Sequence, residues 1–218
     1  MQEKYKNDIV IQIMRGKDNL FAHKKTEIPP FEFNQAVVDV FDDMISRSIP
    51  GYTLLQDLIS KIAQKTLQNA DTYLDIGCST GNSMIQIAKA CANCKLNLIG
   101  LDNSQEMIRQ AQKKLKKNPL HTLEWLEQDL NVNQQIPEAQ LISMILTLQF
   151  ISPENRNALI KSIYDHLPKK GHFILVEKIK FEDQALQEYW TQLYYQFKKD
   201  NGYSDLEIAQ KRDAIENV

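Results

Sequence analysis

Tyr73-Leu74-Asp75-Ile76-Gly77-Cys78-Ser79-Thr80-Gly81 is the stretch on which the reading of this 218-residue chain turns. An apolar run enters a carboxylate and breaks at a glycine turn. Apolar residues at helical spacing (Met84, Ile87, Ala88) follow it. That order is how an α/β sheet cradles a nucleotide-like ligand at the end of a strand. A second acid, Asp102, closes the next apolar run, Leu96 to Leu101, about 20 residues past the turn, where a carboxylate accepts both ribose hydroxyls of a bound nucleoside. Asp129 follows the third run, Leu123 to Leu126, so three successive strand ends carry acids.

The spacing within the turn argues against a dinucleotide. A pyrophosphate site uses G-x-G-x-x-G, whose middle glycine lets the backbone approach two phosphates. Here Cys78, Ser79 and Thr80 separate Gly77 from Gly81. A ligand with a nucleoside and an amino-acid tail but no phosphate fits better, because Asp75 and the loop carbonyls can hold an ammonium group. S-adenosylmethionine is the expected ligand. A glycine pair alone also occurs in open sheets that bind nothing, so the weight rests on the acids.

Composition narrows the classes. An apolar content of 43% suits one soluble domain with a full core, and a formal net charge of -2 demands no nucleic-acid partner. No apolar run approaches the roughly 18 residues of a membrane span, and the start, Met1-Gln2-Glu3-Lys4, has no apolar signal core; a cytoplasmic protein is expected. Three cysteines do not make a disulfide framework. Cys91 and Cys94 have the spacing of a redox or half-zinc pair, but a zinc site needs a second ligand pair, and Cys91 falls in step with Met84 and Ile87 on an inward helix face. No metal is expected.

Along the chain, residues 1–30 are polar and lysine-rich, end in Pro29-Pro30, and read as a mobile arm or lid. Residues 31–218 form the ligand-binding domain. Ala36, Val37, Val40, Phe41, Met44 and Ile45 repeat at helical spacing up to Ile49-Pro50-Gly51-Tyr52, and Leu54, Leu55, Leu58, Ile59 and Ile62 continue in a second helix; the two form a helical cap before the first strand. Past the turn, strands at Leu96 to Leu101, Leu123 to Leu126, Leu141 to Leu146 and Phe173 to Val176 alternate with helices from Gly81, Ser104 and Pro153. Such alternation with short links predicts a Rossmann-like α/β fold, a mostly parallel sheet with helices on both faces. An aromatic-rich helix, Gln184 to Lys199, and another from Ser204 complete the chain.

Read in order, Ile49-Pro50-Gly51-Tyr52, Asp75-Ile76-Gly77-Cys78-Ser79, Asp102-Asn103-Ser104, Thr147-Leu148-Gln149-Phe150, Glu177-Lys178, Phe181-Glu182-Asp183, and Asn201-Gly202-Tyr203-Ser204 through Gln210-Lys211-Arg212 resemble the carboxy-S-adenosylmethionine synthases. The similarity runs from about Phe33 to Val218. Glycine turns are shared by all class I S-adenosylmethionine-dependent methyltransferases; the Pro-Gly-Tyr turn and the segment ending in Gln-Lys-Arg are more particular to this family.

The resemblance implies an enzyme that converts S-adenosylmethionine and prephenate to carboxy-S-adenosylmethionine and phenylpyruvate, a product used by a partner enzyme in tRNA wobble-uridine modification. Prephenate loses carbon dioxide as it aromatises, the sulfonium methyl loses a proton, and the resulting ylide captures the carbon dioxide. It also implies that Tyr52 lies against the cofactor and that Gly77, Cys78 and Ser79 hold its amino-acid part. Asp102 and Asn103 would contact ribose and adenosine, and Asp129 with Leu130 would border the adenine. Arg212 corresponds to the family arginine that pairs with the new carboxylate, and Tyr52 and Arg212 act as positioning groups in the reaction. A homodimer is implied, with no direct contact to nucleic acid or membrane.

This chain departs from the pattern in three places. Ile145-Leu146 stand where the family has an asparagine before Thr-Leu-Gln-Phe, and Tyr194 and Tyr195 replace histidines. The family continues past Glu216-Asn217-Val218 with a helix and a hairpin, so strands 6 and 7 of its sheet are expected to be absent and the fifth strand's edge to need cover. An ordinary class I methyltransferase and a non-catalytic S-adenosylmethionine-binding relative are the competing readings.

Overall fold

The computed structural model describes residues 16–115 and 120–216. Among them the order is α1 (Gln35–Ser48), α2 (Tyr52–Thr66), β1 (Thr72–Ile76), α3 (Asn82–Ala90), β2 (Asn97–Asp102), α4 (Gln105–Lys114), β3 (Thr122–Glu127), β4 (Leu141–Ile145), a short 3-10 turn (Leu148–Phe150), α5 (Pro153–Asp165), β5 (His172–Val176), α6 (Gln184–Asp200) and α7 (Asp205–Glu216). The chain divides into two compact units. One is Thr53–Ile179; the other joins Met1–Tyr52 to Lys180–Val218.

The first unit is the sheet. Its five described strands run parallel in the order β3-β2-β1-β4-β5. Because side chains alternate across a strand, each central strand feeds two cores. Tyr73, Leu98 and Leu141 join Ile59 and Ala63 of α2 and Met84 and Ile87 of α3 on one face. Leu74, Ile76, Ile99, Leu101, Ile142 and Met144 join Leu159 and Ile163 of α5 on the other. Strands buried on both faces read as continuous apolar runs, which is why the sequence shows them so plainly. The expected sheet with helices on both faces is therefore present. Its strand order reverses between β1 and β4, and such a switch point leaves a crevice at the carboxyl ends of the strands.

Local chemistry sets the helix ends. Asn34 caps α1 by accepting from the Val37 N–H, Ser104 caps α4 by accepting from Met107, and a proline opens α5. One expectation shifts in α2. Its buried face is Gln56, Ile59 and Ala63, while Leu54, Leu58 and Ile62 are exposed. The strand expected to reach Leu146 stops at Ile145, because Leu146 turns to φ 55, outside the extended region.

The second unit is held differently. Arg47 donates to the Asp43 carboxylate at 2.7 Å, to the Asp18 carbonyl at 2.9 Å and to the Asn201 carbonyl at 3.3 Å, and its guanidinium lies 4.1 Å from the centre of the Tyr203 ring. Tyr203 donates its hydroxyl to the buried Asp18 carboxylate at 2.6 Å. Gln210 donates to the Phe21 and His23 carbonyls and accepts from the Lys25 N–H.

Part of the stretch read as an arm, residues 18–25, makes side-chain contacts in this unit. Buried Asp18 and Phe21, with the Gln210 clasp, anchor this stretch to α7, because its backbone groups find side-chain partners. Residues 1–15 and Asn217-Val218 lie outside the described residues. The aromatic helix α6 is less buried than packing alone would give: Tyr189 and Trp190 are exposed, with Trp190 stacked on Phe181. Among the described residues, no helix is long and apolar enough to cross a membrane.

Candidate functional site at the carboxyl ends of the sheet

The glycine turn after β1 is shaped by three residues with positive φ, Gly77 at 72, Ser79 at 48 and Gly81 at 76. Gly77 has no alternative. A Cβ there would collide with the Thr147 side chain, so the turn and the segment after β4 touch through a position that tolerates only hydrogen. Ser79 and Leu146 are non-glycine residues held in the left-handed region, and both border this end of the sheet. Strain of this kind gathers where a fold over-determines a loop for a ligand.

The turn's amides are already committed. Gly77 N and Cys78 N both donate to the Leu101 carbonyl, at 2.8 and 2.9 Å, Ser79 N donates to Asp102 Oδ2 at 2.8 Å, and Gly81 N donates to the Cys78 carbonyl at 2.8 Å. A pyrophosphate needs a fan of free amides. Spending them inside the turn removes that option and supports a ligand without phosphate.

Asp102 ends β2 and is buried. Its oxygens accept from the Ser79 and Ser104 amides at 2.8 and 2.9 Å, which fixes the carboxylate while leaving lone pairs for two hydroxyl donors. Burial pushes its pKa up; the amides of Ser104, Ser79 and Asn103 pull it back. Asn103 itself is exposed beside it. Asp129 lies two residues beyond β3 and is exposed, whereas Leu130 is buried in the core of the α5 face. The Gln128 amide, donating to the Asp102 carbonyl at 3.0 Å, ties this segment to the end of β2.

Asp75 is the most perturbed acid of the turn. It lies inside β1, beside Ser143 of β4 in register, and accepts from the Ser143 hydroxyl at 2.6 Å; Tyr73, two residues earlier on the same face, is 2.6 Å from that hydroxyl. Burial pushes the Asp75 carboxyl up to about 7, against the Ser143 and Tyr73 hydrogen bonds that lower it, with the Asp102 charge raising it further. A carboxyl buried this deeply favours a cationic partner. The Cys78 thiol is also pushed well up by burial, so it is an inert wall of the turn and no nucleophile. Cys91 is buried in the α3 core face, as its spacing predicts, and the described residues hold no cluster of three metal-ligating side chains.

Two supports had no signal in local spacing. Lys114, at the end of α4, donates to Thr80 Oγ1 at 2.8 Å and Asn82 Oδ1 at 2.7 Å, pinning the far side of the turn. Glu177 follows β5 beside the 3-10 turn; burial pushes its carboxyl up, the backbone amides of Leu148, Gln149 and Lys178 offset part of that push, and its buried Oε1 has no hydrogen-bond partner. Asp75, Gly77, Cys78, Ser79, Asp102 and Asn103 are thus brought together in the sheet unit, with Asp129 and Leu130 on the adjoining segment. Tyr52 opens α2 at the boundary of the other unit. Arg212 lies exposed on α7, hydrogen-bonded to Asp213 at 2.7 Å, with Tyr195 as a further partner.

A parallel sheet with this switch point, a glycine turn after β1 whose amides bond within the turn, and a buried acid at the end of β2 define the class I S-adenosylmethionine-dependent methyltransferase fold. Residues 74–171 match the family model described as a methyltransferase domain. A putative S-adenosyl-L-methionine-dependent methyltransferase from Methanococcus maripaludis superposes with a TM-score of 0.52 at 16% identity, over 89% of this chain and 87% of its own. DesVI of Streptomyces venezuelae gives 0.50 at 20% identity, over 70% and 62%.

Within that class the chain belongs to the carboxy-S-adenosyl-L-methionine synthase family. The synthase of Methylococcus capsulatus is 39% identical over 93% of this chain and 84% of its own length. That of Nitratiruptor sp. is 41% identical over 93% and 82%.

Proposed function

We propose that the protein makes carboxy-S-adenosylmethionine from S-adenosylmethionine and prephenate, releasing phenylpyruvate and water, the ring hydroxyl of prephenate leaving as hydroxide and taking up the proton lost by the sulfonium methyl. Family membership carries this reading, and the spent amides of the turn support it by fitting a ligand without phosphate. In it, Asp75 and the turn Gly77-Cys78-Ser79 hold the amino-acid end, Asp102 and Asn103 the ribose and adenosine, and Asp129 with Leu130 border the adenine. Tyr52 lies along the ligand.

Arg212 supplies the discrimination. A guanidinium beside a sulfonium opposes binding of the methylated substrate, whereas a carboxylate on that carbon gains a charge-assisted, bidentate pair. We also infer a cytoplasmic homodimer, serving tRNA wobble-uridine modification through its product; the exposed Leu54, Leu58 and Ile62 stripe of α2 is an apolar surface suited to subunit contact.

Incubating the protein with S-adenosylmethionine and prephenate tests the reading by mass spectrometry. A sulfonium product heavier by one carbon dioxide is expected. Methyl transfer to an acceptor without that product would favour an ordinary methyltransferase, and binding without turnover a non-catalytic relative.

A further inference from the structure

Gln56 is 5% exposed, and neither its Oε1 nor its Nε2 has a hydrogen-bond partner. Buried polar side chains almost always find a partner within the protein, and an apolar side chain of similar size would be cheaper at this position. The carboxamide therefore calls for an explanation beyond packing.

Its place on the helix indicates one. Gln56 shares the buried face of α2 with Ile59 and Ala63, and those two sit in the core that contains Tyr73 and Cys78. Leu67, in the same core, stands just before β1, so α2 returns along the strand in the opposite direction. From Leu67 back to Gln56 the helix covers roughly 16 Å, about the length from the start of β1 to the glycine turn. By these rises Gln56 falls at about the level of Asp75, Gly77 and Cys78, and its neighbour Leu55 packs against the core that holds Cys78. At the same end of β4, Ile145 and Leu146 offer only apolar side chains.

We propose that Gln56 is a binding residue for the amino-acid end of S-adenosylmethionine, with Oε1 accepting from the ammonium and Nε2 donating to the carboxylate. This rests on the S-adenosylmethionine reading above. A carboxamide presents one acceptor and two donors on adjacent atoms, which matches a zwitterion carrying both charges on one carbon. Asp75 supplies the negative charge for the ammonium; Gln56 supplies the donor that an acid cannot give to the carboxylate.

The test is titration calorimetry of the wild type, Gln56→Leu and Gln56→Met with S-adenosylmethionine and with 5′-methylthioadenosine, which keeps the nucleoside and sulfur but lacks the amino-acid group. Both variants should bind S-adenosylmethionine about tenfold more weakly or worse, bind methylthioadenosine within about twofold of wild type, and melt no lower than wild type without ligand. Unchanged S-adenosylmethionine affinity in either folded variant overturns the proposal, as does an equal loss for both ligands. If the wild type binds methylthioadenosine but shows no gain from the amino-acid group, Gln56 is excluded while the nucleoside site stands. If it binds neither ligand, the S-adenosylmethionine reading falls as well.

Discussion

The two units of this chain solve the same problem with different materials. In residues 53–179 the order comes from apolar strands that feed a core on each face, with few buried polar groups among them, such as Asp75 and Ser143 inside the sheet and Asp102 at the end of β2. In the other unit the fixed points are polar and centre on Arg47, Asp18, Tyr203 and Gln210, which join parts of the chain more than 150 residues apart in sequence. An apolar core tolerates exchange of one hydrocarbon side chain for another of similar volume. A buried polar network does not, because each member lost leaves its partner stranded.

The largest effect expected from this contrast is in the sheet unit, at the one polar-rich place it has. Gly77→Ala forces a Cβ against Thr147 and a side chain onto a positive φ, so it should lower stability by about 3 kcal/mol in chemical denaturation and abolish S-adenosylmethionine binding in calorimetry. Pairing it with Thr147→Gly should recover part of the stability, since the clash goes and the φ penalty stays. Full stability in the single variant would show that the turn is looser than described.

Next, Tyr203→Phe takes the 2.6 Å hydroxyl donor from the buried Asp18 carboxylate, which keeps the Leu20 amide and Lys211 at 3.9 Å, and should cost about 2 kcal/mol in the same assay. Leu98→Met in the sheet core keeps the volume and should cost less than about 1.5 kcal/mol. If the methionine variant proved the weaker of the two, the distinction between the units would fail.

The acid inside the sheet gives a pH signature. With its carboxyl raised to about 7, Asp75 contributes stability that is complete below the ordinary carboxylate range and is lost as pH rises through about 7. Ligand binding runs the other way if the ionised form meets the ammonium. Affinity for S-adenosylmethionine should rise by about tenfold from pH 5.5 to 7, with proton release on binding, and Asp75→Asn should flatten both. A pH-independent wild-type affinity would remove Asp75 from the ammonium site.

The smallest stability effect is expected at Arg212. Its pair with Asp213 is exposed, so Arg212→Ala should change stability by less than about 0.5 kcal/mol while erasing any preference for carboxy-S-adenosylmethionine over S-adenosylmethionine in calorimetry.

Legibility in the sequence follows the same division. The runs at Leu96 to Leu101, Leu123 to Leu126 and Phe173 to Val176 fall within a residue of β2, β3 and β5: β2 is buried on both faces, and the half-exposed outer strands β3 and β5 still turn apolar residues toward both cores. Asp102 was readable from its place after such a run. The face of α2 was not, since leucines at helical spacing mark a stripe without saying which stripe is covered. Nor were Ser143 and Tyr73 beside Asp75, Lys114 on the turn, or Gln210 on residues 21–25. Each meets its partner through tertiary pairing over tens of residues, and local periodicity holds no record of that. Residues 18–25 read as part of an arm because their polarity is matched by partners at the other end of the chain.

The contact between Gly77 and Thr147 has one more consequence. Two loops that approach to within a missing methyl group are a single mechanical part, so variation introduced in one, by selection or in a library, is filtered by what the other holds. Efforts to retune this pocket for a different sulfonium should diversify both positions in the same pool, because most single exchanges at either will report the collision and not the chemistry.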